Sequence, residues 1–178
     1  MPVTPDWLPP LFPVTGKPIE QVVALLYAVF IRDFKQGKPA LGAVPVRWGE
    51  QPRELFGSYY EEGFWHLLCR KVGPSPLDRE FEPSRAERMP WCAPVLRHAE
   101  EPCIRVWEHL AGDPASLTPR QRAEKTSTYV WLVEHDYVVV LHRRKIGSGT
   151  VYFLRSGYHV DGASSRQKFQ RKYDDRLP

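Results

Sequence analysis

Residues 136–160 constrain the fold of this chain more than any other stretch. They contain two β-rich runs, residues 137–141 and 151–160, joined by a short basic connection that contains glycine. Such a pattern is typical of a β-hairpin. The second run ends in polar side chains, where a purely structural strand would stay apolar; these are Arg155, Ser156, Tyr158 and His159. We therefore predict a hairpin with a site at the end of its second strand.

The composition indicates a globular protein. The chain has 178 residues, of which 42% are hydrophobic, and this is enough for one packed domain. The longest apolar run, residues 22–31, is about half as long as a bilayer span requires, and the N-terminus does not resemble a secretory signal. We expect a cytoplasmic protein that does not bind membranes.

The cysteines do not indicate a bound group. Cys69, Cys92 and Cys103 are odd in number and lack C-x-x-C spacing, so neither a disulfide framework nor a zinc site is indicated. We expect buried thiols, no metal site and no cofactor. Phosphate-binding loops, dinucleotide-binding loops, nucleophile elbows and zinc-protease motifs are also missing from the sequence.

The charge of the chain is concentrated near its C-terminus. The net charge is +4, but from residue 143 onward nine Lys and Arg stand against three Asp, a net of +6. A basic surface favours polyanions, nucleic acid above all, so RNA is the expected partner. A solvated helix that happens to be basic explains the charge equally well.

Two parts of the chain differ in composition. Residues 1–15 are rich in proline and are predicted to form an extended arm that packs on the domain or on a partner. Residues 16–178 are predicted to form a single α+β domain. Its first helix begins at Pro18 and ends near Gly37, because the apolar residues between them lie on one stripe. We interpret that stripe as core or as a dimer surface.

We predict N-terminal helices packed on an antiparallel sheet of about four strands, followed by a basic C-terminal helix. The S-x-x-E spacing at residues 84–87 predicts a capping box, and a further helix follows it. Residues 49–63 are predicted to be loop. Candidate strands are residues 44–48 (an edge strand, because of its proline), 64–71, 103–109, 129–133 and the two runs of the hairpin.

His66 is the strongest single candidate for a catalytic residue. In a buried strand over residues 64–71, alternation places His66 and Arg70 on one face. An imidazole there suits general acid or base catalysis, and Arg70 and Lys71 could hold a phosphate beside it. The alternative is a core histidine whose hydrogen bonds are satisfied.

The end of the hairpin supplies further candidates. Ser156 and Tyr158 share one face of the predicted strand, Arg155 and His159 share the other, and Gly157 could accommodate a bulge. A hydroxyl, a phenol, an imidazole and an arginine are sufficient for metal-free phosphodiester cleavage.

Four segments carry a resemblance to a known family. In order they are GFWHLLCRK (63–71), SRAERMPW (84–91), DYVVVL (136–141) and YFLRSGYHV (152–160), the last followed by a basic helix. This ordered set resembles phage- and mobile-element-associated proteins of the barnase/EndoU/colicin/RelE-like (BECR-type) nuclease superfamily. The resemblance implies a compact α+β fold and metal-independent RNA cleavage, often as a toxin, with a cognate inhibitor or antitoxin as a candidate partner.

The resemblance also suggests roles for individual residues. His66 corresponds to the acid/base candidate and Arg70 to a phosphate contact. Ser156 with Tyr158 corresponds to the polar pair of the last strand, where many members have Thr-x-Tyr. Arg88, in the second segment, is either a structural ion-pair partner or a substrate contact.

Three hypotheses follow from the sequence. The first is a toxin-like or mobile-element-associated endoribonuclease with His66, Ser156 and Tyr158 as catalytic residues. Its substrate-binding residues would be Arg70, Lys71, Arg88, Arg155 and His159. The second is a non-catalytic accessory protein that binds nucleic acid or protein through the basic C-terminal face. The third is an interaction protein that uses the Pro-rich arm and the first helix.

Overall fold

The computed structural model describes residues 3–178 and shows an α+β fold built on a six-stranded mixed sheet. The strands are β1 (Ala40–Leu41), β2 (Val44–Arg47), β3 (Pro52–Leu55), β4 (Ser58–Glu61), β5 (Cys69–Lys71), β6 (Arg79–Phe81), β7 (Ile104–Leu110), β8 (Thr126–Leu132), β9 (Tyr137–Ile146) and β10 (Gly149–His159). The α-helices are α1 (Ile19–Phe30), α2 (Glu62–Leu68), α3 (Pro83–Arg88), α4 (Cys92–Arg97), α5 (Pro119–Lys125) and α6 (Gly162–Asp174). The large sheet has the order β1-β2-β10-β9-β8-β7, while β3–β4 and β5–β6 form separate pairs.

The predicted hairpin is present as β9 and β10. Its ladder runs from the Gly149–Ile146 pair to the His159–Tyr137 pair, and its register shifts between Leu154 and Ser156. Arg155 is therefore the extra residue of a β-bulge, two positions before the glycine that we expected to permit one. Beyond the bulge the antiparallel pairing with β9 resumes at Ser156 and continues to His159.

The predicted sheet is correct only in part. Strands β7 to β10 are antiparallel neighbours, as expected for four strands from the second half of the chain. However, β2 adds to β10 in parallel and lies between β10 and β1, so it is not an edge strand. Pro45 is tolerated because the pairing of β2 with β10 begins only at Val46, and on the β1 side it is Val46 that donates, to the carbonyl of Pro39.

The sheet separates two apolar clusters. The larger cluster joins α1, α2 and α4 to one face of the sheet, and the stripe of α1 is part of this core, with Val22, Val23 and Leu26 almost fully buried. The smaller cluster covers the other face, where Phe169 of α6 packs with Trp107 and Trp131. The basic C-terminal helix is thus anchored by one buried aromatic residue.

Residues 62–68 form a helix, and the prediction of a buried strand over residues 64–71 is wrong. Phe64, Trp65, Leu67 and Leu68 are fully buried, whereas His66 is only partly buried. A short apolar run does not distinguish a buried strand from a buried helix. Only residues 69–71 continue as the strand β5.

Three smaller predictions also differ from the structure. Residues 49–63 are not loop, because β3 and β4 form a hairpin there. Helix α3 begins at Pro83 without a capping box, since Glu82 occupies the N-cap position with no side-chain cap. Helix α5 follows a turn-rich segment and was not expected; its capping box is formed by Thr118 and Gln121.

The Pro-rich arm packs against the domain over its described part, while residues 1 and 2 lie outside the described residues. Leu8 is buried and the ring of Trp7 stacks on His98 at 4.4 Å. The indole of Trp91 donates a hydrogen bond to the carbonyl of Pro9 at 2.8 Å. Within residues 3–178, none of the helices combines the length and the apolarity that a membrane crossing requires.

We predict that Gly157→Ala destabilises the fold by about 1–3 kcal/mol, because it overpacks a closed site. An added Cβ would lie 2.5 Å from the hydroxyl of fully buried Tyr137 and 3.2 Å from Leu67 Cδ2. Urea denaturation measures the effect. Gly149→Ala is the matched control on the same strand, since its nearest neighbour is 3.6 Å away; equal stability of the two variants would contradict this packing.

Candidate active site

His66 lies on α2 with its side chain 19% exposed, so it is not sealed in the core. The apolar residues of α2 are buried, which leaves Glu62 and His66 as the polar positions of that helix. The Nε2 atom forms a short hydrogen bond with the Arg79 guanidinium of β6, and Glu62 Oε1 lies 3.7 Å away. Because a guanidinium only donates, Nε2 is the acceptor and carries no proton.

The electrostatic environment keeps the His66 imidazole neutral. Burial and the charges of Arg79, Arg155 and Arg85 lower the pKa of His66 to about 4, although a hydrogen bond with the backbone of Arg155 opposes the shift. Three guanidinium groups from β6, β10 and α3 therefore lie close to one neutral ring. A neutral imidazole is the protonation state that a general base needs.

Arg85 connects His66 to Ser156. Its Nη1 donates to Ser156 Oγ at 2.9 Å and to the carbonyls of Cys69 at 3.0 Å and His66 at 3.3 Å. The hydroxyl of Ser156 in turn donates to the His66 carbonyl at 3.3 Å. The structure thus brings the two predicted residues together, but through the backbone of His66 rather than through its ring.

Tyr158 adjoins the same arginine. The Arg85 guanidinium lies 5.1 Å from the centre of the Tyr158 ring, and the ring also packs edge-on against Phe169 of α6. Burial, and to a smaller extent the nearby Tyr129, raises the pKa of Tyr158 to about 12. The phenol therefore keeps its proton at neutral pH, as a proton donor must.

The predicted substrate-binding residues divide into three groups. Arg155 is beside His66. The side chain of Arg70 is 60% exposed and pairs with Glu80 at 2.7 Å, and Lys71 is also exposed on β5. Arg88 donates a hydrogen bond to the carbonyl of Ser84. The pKa of His159 is lowered by its burial and, to a smaller extent, by the charge of Arg88. Within residues 3–178, no hydrogen bond joins the His66 imidazole to Arg70, Lys71, Arg88 or His159.

Two residues of the cluster, Arg79 and Arg85, are not among the candidates that the sequence indicates. Arg79 follows a proline-containing loop, and Arg85 lies within the segment that we interpreted as a capping box. Arg79 begins the short strand β6 and Arg85 lies in the first turn of α3, and neither position carries a local signal of its own. Only the fold shows that Arg79, 13 residues after His66, returns to its ring.

Comparisons of the chain with protein-family models, curated proteins and solved structures found no match. Within the part of the chain that the structure describes, no three His, Cys, Asp or Glu side chains gather as potential metal ligands.

We predict that Arg79→Gln raises the pKa of His66 from about 4 towards its ordinary 6.5, because the largest charge acting on the ring is removed. An NMR titration of the His66 ring protons measures the shift. Arg70→Gln is the control, since its guanidinium is exposed and paired with Glu80. An unchanged His66 pKa in Arg79→Gln would show that Arg79 does not hold the ring neutral.

His66 also makes stability depend on pH. The unfolded histidine, with its ordinary pKa of 6.5, binds more protons between about pH 6.5 and 4 than the folded one does. Stability is therefore fully present above pH 6.5 and falls as the pH drops through this range. We expect His66→Gln to flatten this decline in urea-denaturation midpoints, with a residual slope from His142 and His159, whose pKa values are also lowered. An unaltered pH dependence of stability in His66→Gln would contradict this contribution of His66.

Proposed function

We propose that this protein is a metal-independent endoribonuclease of toxin-like or mobile-element-associated type. The observation that supports this best is the neutral imidazole of His66 beside the guanidinium groups of Arg79, Arg85 and Arg155. Cleavage of RNA by its own 2′-hydroxyl needs a base and positive charge at the phosphate. The resemblance of the four sequence segments to BECR-type nucleases points to the same chemistry.

In the proposed reaction, Arg79 moves to the scissile phosphate and frees Nε2 of His66. That nitrogen takes the proton of the 2′-hydroxyl, and the 2′-oxygen attacks phosphorus. Arg79 and Arg155 stabilise the negative charge of the phosphorane. The bond from phosphorus to the 5′-oxygen then breaks, and a proton from Tyr158 goes to that oxygen. The products are a 2′,3′-cyclic phosphate and a free 5′-hydroxyl.

Ser156 has a positioning role in this proposal. Its hydroxyl is engaged by Arg85 and by the carbonyl of His66. A serine held in this way does not act as a nucleophile; it joins the end of β10 to α2. Ser156→Ala should therefore weaken the alignment of the site, and Ser156→Thr should preserve it.

We expect the purified protein to cleave RNA in the presence of EDTA. His66→Ala and Tyr158→Phe should each lower kcat/KM by about 100-fold or more, as is usual for the loss of a general base or acid. Arg79→Gln should lower kcat by a similar factor because it removes charge stabilisation at the transition state. A fluorescent RNA measures the rates, and chromatography identifies the cyclic phosphate.

The matched controls are Arg97→Gln, an exposed arginine of α4, and His98→Ala, which stacks on the arm. Both should retain cleavage. Circular dichroism checks that each variant is folded. Undiminished cleavage in folded His66→Ala and Tyr158→Phe would overturn the assignment of the site.

A second candidate function is RNA binding without cleavage. One observation favours it: the hydrogen bond from Arg79 occupies the nitrogen of His66 that base catalysis requires. In that case His66 holds Arg79 in place, and the exposed cations bind the polyanion. Salt-sensitive RNA binding by wild-type protein, with no cyclic phosphate formed on prolonged incubation, would select this function.

A further inference from the structure

A basic groove lies between α5 and the β9–β10 hairpin. Its volume is about 890 Å³, much larger than a single phosphate. Six of its eleven lining residues are basic. These are Arg120, His142, Arg143, Arg144, Lys145 and Arg155.

The charge of this groove is only partly neutralised. Two carboxylates also line it, Glu124 beside Arg120 at 3.0 Å and Glu108 beside Arg143 at 3.9 Å. The three remaining cations, Arg144, Lys145 and Arg155, form no ion pair within residues 3–178. A concave surface with an excess of three positive charges attracts an extended anion.

Arg155 connects the groove to the His66 cluster. It is the bulged residue of β10 and lines the groove. Its charge also lowers the pKa of both His66 and His142, so its guanidinium lies near both rings. His142 belongs to the groove, where Ser127 Oγ is 3.1 Å from its Nε2. An anion that fills the groove therefore contacts Arg155, the residue beside the proposed catalytic imidazole.

The side-chain types favour a phosphodiester chain over an acidic protein. Four of the five cations are arginines, whose planar guanidinium groups bind phosphate in a bidentate manner. Arg144 already stacks on the Phe153 ring at 4.4 Å. Cations combined with an aromatic ring are typical of surfaces that bind single-stranded nucleic acid.

We propose that this groove binds the single-stranded RNA segment that flanks the scissile phosphate, with Arg155 contacting the phosphate nearest to His66. The position of the cleaved bond rests on the proposed ribonuclease function; the RNA site itself does not. Arg143, Arg144 and Lys145 are binding residues in this assignment and have no part in the chemical step.

The test uses the triple variant Arg143→Gln/Arg144→Gln/Lys145→Gln, with His66→Ala added so that the probe stays intact. Fluorescence polarisation with a short labelled single-stranded RNA should show binding weakened about 10-fold or more. The slope of log K against log salt should decrease by about 2, since each lost phosphate contact of a single strand contributes about 0.7.

The matched control is Arg97→Gln/Lys168→Gln/Arg171→Gln in the same His66→Ala background. It removes equal charge from exposed residues outside the groove and should retain binding within about two-fold. Equal loss in both triple variants would overturn the groove, because it would show that net charge alone binds RNA. Displacement of RNA by polyglutamate as efficiently as by unlabelled RNA would overturn the assignment to RNA.

Cleavage by the groove variant with intact His66 separates the two proposals. A raised KM with kcat unchanged supports the groove as the substrate site, and an unchanged KM overturns it. If wild-type protein does not cleave RNA but the groove variant alone loses binding, the ribonuclease proposal fails and the RNA-binding groove stands.

Discussion

The geometry of the candidate site depends on the side chain of Arg85. This guanidinium is 16% exposed and donates to the carbonyls of His66 and Cys69 and to Ser156, while Glu82 neutralises its charge at 2.8 Å. Those carbonyls end α2 and begin β5, where the helix leaves acceptors without internal partners. Each buried acceptor that loses its donor costs about 1–3 kcal/mol. Arg85 therefore fixes α2 against β10 by hydrogen bonds that apolar packing cannot replace.

The end of β10 is the second part of this arrangement. Its parallel neighbour β2 pairs only with Tyr152 and Phe153, so the residues beyond have no strand on that side. The register of β10 shifts at Arg155, and beyond it Gly157 permits Tyr137 and Leu67 to approach closely. An Ala at that position would hold the strand and the helix apart. This glycine thus allows β10 to pack closely on α2, the helix that carries His66.

The hairpin, α1 and the strands β7 and β8 were predictable because their apolar patterns are local and long enough to identify. Helix α2 was not, because its short apolar run fits a strand as well as a helix. His66 and Ser156 were recognised as polar residues in apolar surroundings, yet their connection through a backbone carbonyl was not foreseeable. Arg79 and Arg85 become part of the cluster only through the turn that leads from β5 into β6 and the close packing of α3. Such contacts are determined by topology, which local patterns do not encode.

The positive charge around His66 is only partly neutralised by carboxylates. Glu82 neutralises Arg85, but Arg79 and Arg155 form no ion pair within residues 3–178. Burial lowers the pKa of Arg79, and the charges of Arg85 and Arg155 lower it further. The imidazole avoids adding a further charge by staying neutral. An anion placed between Arg79 and Arg155 would relieve this repulsion and would also raise the basicity of His66. A phosphate bound there would therefore strengthen the base that is proposed to act on its own neighbouring hydroxyl.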